Sequence, residues 1–354
     1  MDERQKAIVV HASFGQGHKK AAQAAGEALD AAVYDILDFT HPLIKKLYVF
    51  SYLFVTHHTP LIWKIVFNTS KNRIFAFILH KLQFCFFSPF ISLLRKEKPG
   101  VVIFTHFSPP RFAVSVKKEL NCKFVTIVTD MRVHPLWVQD YIDYYFASLP
   151  ATRQDLIQQG VDPVKIISGF AALRNGFLKE LSTDMLFDKF SLPKRDTILF
   201  VSSSRGSFPF LIKTVKKLIE RFNLIVIYGK NNKLKDYLQN LESANIRFFS
   251  FYEQIWELIS LSSVIVAKPG GLTVFEGVYK KKNFVFTHFI PGQEEENMRI
   301  LIEKNVARFA RSKDELLEAI IYFIDSNSLK DEDYPLVLKD IRQPLKDLIS
   351  KISS

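Results

Sequence analysis

Short apolar runs recur along the chain, with helical or polar segments between most of them. The first run, residues 7–12 (AIVVHA), precedes a glycine turn at 13–17 (SFGQG) and an Ala-rich segment at 18–29 that favours a helix. Further runs that predict strands lie at 101–106, 123–129, 144–148, 197–204, 224–229, 246–251, 264–268 and 284–288. Strands that alternate with helices indicate parallel sheets covered by helices on both faces.

The strand runs form two series, which predicts two domains in the 354-residue chain. We expect an α/β protein with two doubly wound, Rossmann-like domains that face each other across a cleft. The N-terminal domain is predicted at 1–168 and the C-terminal domain at 169–330, with the hinge inside ISGFAALRNGF (167–177). Residues 331–354 are expected to form C-terminal helices that pack back toward the N-terminal domain.

The charge balance indicates an anionic partner. The chain has 48 Lys and Arg against 36 Asp and Glu, a net charge of +12, which suits nucleic acid, anionic lipid or phosphate ligands. Cys85 and Cys122 are too few for a disulfide framework and fit a reducing compartment. The N-terminal MDERQKAIVV lacks the apolar core of a signal peptide.

Residues 41–98 combine basic and aromatic side chains with long apolar runs. The longest run is interrupted by His80, Lys81, Gln83 and Pro89, whereas a transmembrane helix needs about 20 mostly apolar residues. We favour a patch that binds the surface of an anionic membrane over a transmembrane span or a domain core with a basic face. Nucleic acid is less well suited, because the basic residues alternate with aliphatic runs.

The glycine turn after the first strand does not match a dinucleotide-binding fingerprint. Gly15 and Gly17 have the required spacing, but the third glycine position is Lys20. The turn instead predicts a helix that starts near His18, where the helix dipole disfavours imidazolium. A neutral His18 could act as a general base, and the alternative is a surface histidine at a helix start.

The segment KPGGLTVFE (268–276) predicts a strand, a bare turn and a helix. Gly270 and Gly271 let the backbone come close to a ligand, and the helix start can bind phosphate. Thr273 and Glu276 fit a T-x-x-E capping box, which is the structural interpretation of Glu276. The functional interpretation is that Glu276 accepts both hydroxyls of a ribose.

The segment PGQEEEN (291–297) begins the next helix with acids and amides. Gln293, Glu294 and Asn297 are side chains that can each engage neighbouring hydroxyl groups of a sugar. Together with KPGGLTVFE, this segment predicts a nucleotide-sugar site. Phosphates would lie at the glycine turn, the ribose on Glu276 and the hexose at GQEE.

Four segments resemble motifs of the monogalactosyldiacylglycerol synthases and processive diacylglycerol glucosyltransferases. They are SFGQGH, TDMRVHPLW, KPGGLTVFE and PGQEEEN. These enzymes are related to the GlcNAc transferase that makes lipid II. The resemblance implies a GT-B fold and an inverting transfer of a hexose from a UDP-sugar to diacylglycerol or glycosyl-diacylglycerol. It also implies that no metal or other cofactor is needed.

The resemblance implies roles for particular residues. His18 is the catalytic candidate, and Asp130 is a rival base that could instead orient a histidine such as His134. The resemblance places Glu276 on the ribose and Gln293 and Glu294 on the sugar. The other donor-binding candidates, taken from the sequence itself, are Gly17, Gly270, Gly271, Thr273 and Asn297.

One loop departs from the pattern of the similar enzymes. They carry a glycine-rich loop after the first strand of the C-terminal domain, but here SSSRGSFPF (202–210) has Gly206 as its only glycine. Ser203 and Arg205 could still bind phosphate through a hydroxyl and a guanidinium group. A catalytically weak, membrane-associated relative is therefore one alternative to an active transferase, and a UDP-sugar epimerase of GT-B fold is another.

The expected partners are a UDP-hexose, a diacylglycerol-type lipid and an anionic membrane surface, without nucleic acid. We expect a peripheral or monotopic protein on the cytoplasmic face of a membrane. The sequence leaves the donor sugar, the number of sugars added and the oligomeric state open.

Overall fold

The computed structural model describes residues 6–13, 16–47, 50, 87–201, 211–241, 243–325 and 334–353. The chain divides into two compact units. The first unit contains Met1–Arg174, Ile290–Gln293 and Leu338–Ser354, and the second contains Asn175–Phe289 and Glu294–Val337. The domain limits expected from the sequence stay a prediction.

The strands are short, and each apolar run that the sequence predicts as a strand overlaps one. They are β1 Ala7–His11, β2 Ala32–Asp35, β3 Val101–Phe104, β4 Lys123–Ile127, β5 Tyr144–Ala147, β6 Ile166–Ser168, β7 Phe170–Ala171, β8 Thr197–Val201, β9 Asn223–Ile227, β10 Ile246–Phe249, β11 Val264–Ala267, β12 Asn283–Phe286, β13 Ala307–Phe309 and β14 Lys339–Asp340.

Helices follow most of these strands. They are α1 Gln16–Leu29, α2 Ser88–Glu97, α3 Pro109–Leu120, α4 Pro150–Gln158, α5 Thr183–Lys189, α6 Leu211–Arg221, α7 Asn232–Gln239, α8 Ile255–Leu261, α9 Gly271–Tyr279, α10 Gln293–Glu303, α11 Lys313–Asp325 and α12 Arg342–Ser353. In the described part of the chain, no helix has the length and apolar character needed to cross a membrane.

The first unit is built on a six-stranded parallel sheet with the order β2-β1-β3-β4-β5-β6. Successive side chains of a strand point to opposite faces, so Ile8 and Val10 pack in one hydrophobic cluster while Val9 packs in another. All three are fully buried. Burial on both faces explains why the strands are continuous apolar runs rather than alternating ones.

The C-terminal segment belongs to the first unit. Strand β14 pairs in parallel with β7. Ile341, just before α12, and Leu345 and Leu348 of α12 pack into the cluster that contains the alanines of α1. Arg342 bonds Asp340 at 2.7 Å and donates to the Leu173 carbonyl at 2.8 Å. The small alanine side chains of α1 leave room for this close packing of two helices.

The second unit repeats the architecture with the strand order β10-β9-β8-β11-β12-β13, all parallel. Its core contains Phe200, Leu224, Val226, Val264 and Val285. The α/β fold class with two parallel sheets is thereby confirmed.

Each sheet has one place where the strand order reverses direction. In the first sheet, β2 and β3 lie on opposite sides of β1, so the reversal falls between β1 and β3. In the second sheet, it falls between β8 and β11. Open α/β sheets bind ligands beyond the carboxyl ends of the strands at such points. The SFGQGH turn follows β1 and the KPGG turn follows β11, so both motifs lie at the expected positions.

Candidate functional site

His18 lies at the carboxyl ends of three neighbouring strands of the first unit. It is the third residue of α1, which follows β1, and its Nδ1 lies 2.8 Å from the Thr105 carbonyl oxygen after β3. The Thr129 hydroxyl, beyond the end of β4, is 2.9 Å from the same nitrogen. A carbonyl oxygen can only accept, so Nδ1 carries the hydrogen and the neutral ring keeps its basic lone pair on Nε2.

Further contacts fix the helix start and the ring of His18. The Thr105 hydroxyl donates to the His18 carbonyl at 2.9 Å, which ties the first turn of α1 to the end of β3. The His106 ring packs edge-on against the His18 ring at a centroid distance of 4.6 Å, and the Trp137 ring lies at 6.3 Å. The imidazole therefore has a defined orientation.

His18 is neutral near pH 7 for a reason other than the one expected. Burial lowers the pKa of His18 to about 4, although the hydrogen bond to the Thr105 carbonyl acts in the opposite direction and the charge of His11 lowers it further. From the sequence, we expected the dipole of a helix that starts at His18 to keep the imidazole neutral. The helix instead begins at Gln16, and loss of hydration is the main cause.

Asp130 is buried, and both of its oxygens accept hydrogen bonds. Trp137 Nε1 donates to Oδ2 at 2.8 Å, and Gln293 Nε2 donates to Oδ1. Burial raises the pKa of Asp130 to about 7, even though both bonds favour the carboxylate. His134 Nδ1 accepts from Leu136 N at 3.2 Å. The orientation of a histidine such as His134 by Asp130 stays a prediction.

In the second unit, the helix after the KPGG turn starts earlier than the capping-box interpretation requires. Gly270 is the N-cap of α9, without a side-chain cap, and Val274 N donates to Gly270 O at 3.0 Å to close the first turn. Thr273 is thus already helical, and the predicted Thr273–Glu276 capping box is wrong. Glu276 lies in the second turn and is 1% exposed.

Neither the backbone nor the described neighbours of Gly270 require a glycine there. Its φ of −70° suits any residue, and among the described residues an added Cβ would meet Lys268 Cε at 3.7 Å and Glu294 Oε1 at 3.8 Å. These are ordinary van der Waals distances. The missing side chain therefore leaves a space bounded by an ammonium group and a carboxylate, where a ligand can approach the backbone.

Lys268 and Pro269 of the KPGG turn are bonded to two residues of α10, Glu294 and Asn297, within the second unit. Lys268 Nζ forms an ion pair with Glu294, and Asn297 Nδ2 donates to the Pro269 carbonyl at 3.0 Å. Glu294 and Asn297 are both buried. Lys268 was not among the residues singled out from the sequence, although the proximity of the two turns was predicted.

Two family models match the chain in succession. The model described as monogalactosyldiacylglycerol (MGDG) synthase matches residues 11–168, and the glycosyltransferase family 28 C-terminal domain matches residues 203–347. The chain belongs to this family of MGDG synthases and family 28 glycosyltransferases. It is accordingly a UDP-sugar-dependent glycosyltransferase.

Curated relatives of this glycosyltransferase extend over most of its length. A processive diacylglycerol beta-glucosyltransferase of Staphylococcus carnosus is 25% identical, with 92% of this chain and 87% of the relative covered. The enzyme of the same name from Staphylococcus aureus MRSA252 is 24% identical, with 99% and 95% covered.

Solved structures share its GT-B fold. UDP-GlcNAc 2-epimerase of Neisseria meningitidis superposes with a TM-score of 0.60 at 12% identity, covering 98% of this chain and 99% of that one. MurG of Acinetobacter baumannii superposes with a TM-score of 0.58 at 12% identity, with the same coverage. At this identity the likeness establishes the fold alone.

The remaining predicted site residues of this glycosyltransferase fall into two groups. Gly17 is the second residue of α1, and Gly271 is the first residue of α9. Ser203, Arg205 and Gly206 lie outside the described residues, as does most of the basic aromatic region 41–98. Among the residues that are described, no group of three or more His, Cys, Asp or Glu side chains could hold a metal ion.

Proposed function

We propose that this glycosyltransferase transfers a hexose from a UDP-sugar to a diacylglycerol-type lipid at a membrane surface, with inversion at the anomeric carbon. The observation that carries the proposal is the neutral His18, whose Nδ1–H is held by Thr105 so that Nε2 is the basic nitrogen. The names of the staphylococcal relatives support the lipid acceptor.

In the proposed step, Nε2 of His18 removes the proton of the acceptor hydroxyl. The hydroxyl oxygen attacks the anomeric carbon from the face opposite the leaving group. The bond between that carbon and the phosphate oxygen breaks, and UDP leaves with the electron pair. A single displacement of this kind inverts the configuration. The proton then passes from His18 to solvent.

The donor contacts are assigned to the second unit. The backbone at Gly270 and Gly271 and the N-terminus of α9 would face the phosphates, with the Lys268 ammonium as a neighbouring positive charge. Glu276 would accept from the ribose hydroxyls, and Glu294 from the hexose. In these assignments, positive charge and N–H donors face the phosphates, and carboxylate acceptors face the hydroxyl groups of the two sugars.

Gln293 and Asn297 take supporting parts in this proposal. Asn297 holds the Pro269 carbonyl and so keeps the two turns together. Gln293 bonds Asp130 within the first unit. Ser203, Arg205 and Gly206 are proposed to add phosphate contacts.

The membrane surface is the proposed location of the reaction. Residues 42–47 are helical, and within them Leu43 and Leu47, one helical turn apart, are 68% and 65% exposed. Phe50 is 64% exposed, and Lys45 and Lys46 are nearby cations. Exposed apolar side chains beside basic ones suit the interface of an anionic bilayer, on its cytoplasmic face.

An acceptor-by-donor panel tests the proposal. UDP-glucose, UDP-galactose and UDP-GlcNAc are each incubated with the purified protein, with and without vesicles that contain diacylglycerol. We expect UDP release that depends on diacylglycerol and gives a glycolipid with one of the donors. Interconversion of UDP-sugars without any lipid would instead show an epimerase. Binding of UDP without turnover of any donor would show a catalytically inactive relative.

A further inference from the structure

We propose that Thr129 is a positioning residue, whose hydroxyl acts with the Thr105 carbonyl to hold the His18 ring so that Nε2 is directed at the acceptor hydroxyl. That Nε2 is directed at an acceptor hydroxyl rests on the proposed function. That Thr105 and Thr129 hold the His18 ring does not depend on it.

Two oxygen atoms converge on one ring nitrogen. The Thr105 carbonyl lies 2.8 Å and the Thr129 hydroxyl 2.9 Å from His18 Nδ1. The carbonyl sets the tautomer, because it would face a lone pair if Nδ1 lost its hydrogen. The hydroxyl adds a second anchor. A ring held by one acceptor can pivot about that bond, whereas two acceptors at the same N–H restrict the pivot.

The fold delivers these groups from three adjacent strands. His18 follows β1, Thr105 follows β3 and Thr129 follows β4, and the three strands are consecutive in the sheet. Thr105 is also fixed from its side chain, since its hydroxyl donates to the His18 carbonyl at 2.9 Å. The ring is thus located by parts of the chain that are 87 and 111 positions away.

Titratable groups lie on the same strands and helix that carry His18, Thr105 and Thr129. His11 lies on β1, His106 follows β3, Asp130 follows β4, and Lys19 is the next residue of α1. The charge of His11 lowers the pKa of His18. Thr129 is therefore tested by comparing variants that leave all of these residues in place.

The sequence offers a matched set of substitutions. Thr129→Val keeps the shape and removes the hydroxyl, and Thr129→Ser keeps the hydroxyl. Thr126→Val is the control, because Thr126 is a buried residue of β4 whose hydroxyl has no hydrogen-bond partner among the described residues. The first readout is NMR of protein labelled with ¹⁵N in histidine, which distinguishes the nitrogen that bears hydrogen from the bare nitrogen and follows the titration of His18.

The expected result in the wild-type protein is a His18 Nδ1–H signal at neutral pH. In Thr129→Val, the loss of an acceptor for the Nδ1–H of the imidazolium should lower the pKa of His18. The apparent kcat with diacylglycerol vesicles and the active UDP-hexose should fall by about twofold to tenfold with KM unchanged, the effect of one hydrogen bond. Thr129→Ser should restore both values, and Thr126→Val should leave both unchanged.

The proposal is overturned if Thr129→Val titrates and turns over like the wild type, if Thr129→Ser fails to restore the loss, or if Thr126→Val loses as much. A His18 ring that bears its hydrogen on Nε2 also overturns it. If no donor and lipid support turnover, the proposed function fails. In that event the NMR titration of the same variants still decides whether Thr129 holds the ring.

Discussion

His18 Nδ1 lies 2.8 Å from the backbone carbonyl oxygen of Thr105, a residue 87 positions away in the sequence. Side-chain substitution at Thr105 cannot remove a backbone carbonyl, so the tautomer of His18 is built into the fold of the first unit. The ring is neutral at physiological pH because burial lowers its pKa to about 4. The first property places the basic lone pair on Nε2, and the second keeps that lone pair unprotonated near neutrality, although the lowered pKa also makes the ring a weaker base.

Asp130 predicts a specific dependence of stability on pH. Burial raises its pKa to about 7, above the value of about 3.9 for an unfolded chain. The folded protein therefore binds this proton more tightly than the unfolded chain does. The protonated Asp130 carboxyl therefore adds to the stability of the fold below the pKa that it has in the unfolded chain. This contribution is lost as the pH rises through the pKa that it has in the folded protein. Asp130→Asn cannot ionise, so its melting temperature relative to wild type should increase between about pH 4 and about pH 8.

Thermal melts of the two proteins across this pH range measure the effect directly. The Asn side chain keeps an acceptor for the indole of Trp137, which now bonds Asp130 at 2.8 Å. Parallel melting curves with a constant difference would show that the carboxyl group titrates normally.

The Lys268–Glu294 ion pair predicts two different binding defects. Glu294→Gln should weaken UDP-hexose binding but leave UDP binding near wild type, because the carboxylate is assigned to the hexose. Lys268→Gln should weaken both ligands, because the ammonium is assigned to the phosphates. Hydrogen bonds to charged groups contribute about 1.5–3 kcal/mol, so each loss should be about tenfold or more in Kd.

Isothermal titration with UDP and with the UDP-hexose found active in the panel makes the comparison. Lys189→Gln is the matched control, because Lys189 forms a similar ion pair with Glu257 at 2.6 Å elsewhere in the second unit. That variant should bind both ligands normally. If Glu294→Gln weakens UDP as much as the UDP-hexose, the hexose assignment is wrong.

Leu43 and Leu47 predict a change in membrane binding without a change in folding. Their replacement by Gln removes two exposed apolar side chains, each of which stabilises by about 1.5–3 kcal/mol when fully buried. Partitioning onto anionic vesicles should fall by about tenfold or more, and circular dichroism should be unchanged. Moderate salt should weaken the remaining binding, because the basic residues are then screened.

Val164→Gln provides the control for removing an exposed apolar side chain from the same unit, since Val164 is 77% exposed. It should sediment with vesicles as the wild type does. If the double leucine variant also sediments normally, this part of the chain does not contact the membrane.

The sequence predicted the central strands and the edge strand β10, but it missed the other three edge strands of the two six-stranded sheets. Strands such as β3 and β11 are buried on both faces, so they appear as unbroken apolar runs. The edge strand β2 and the terminal strands β6 and β13 were missed. They are three or four residues long, partly exposed and include polar side chains such as Asp35, Ser168 and Arg308.

The site was predictable where its chemistry is local and not where it depends on distant residues. The KPGG and PGQEEEN segments identified the space beside Gly270 and the neighbouring Glu294. The capping-box error arose because T-x-x-E is a local pattern, whereas the helix start is set by the turn at Gly270. Thr105 carries no local signal. Thr129 begins the TDMRVHPLW motif, but the motif does not show that it contacts His18, because only the order of the strands brings the two residues together.

The most direct test of the central claim is the single-turnover rate of His18→Gln, measured with the donor and lipid that the wild-type protein uses. General-base catalysis supplies about 10²–10⁴-fold, so the account predicts a loss of that size in the rate of UDP formation. UDP affinity should stay near wild type, because the donor contacts are assigned to the second unit. A His18→Gln variant that forms glycolipid at the wild-type rate would contradict the account. If Asp130→Asn then abolished the reaction, Asp130 would be the base instead.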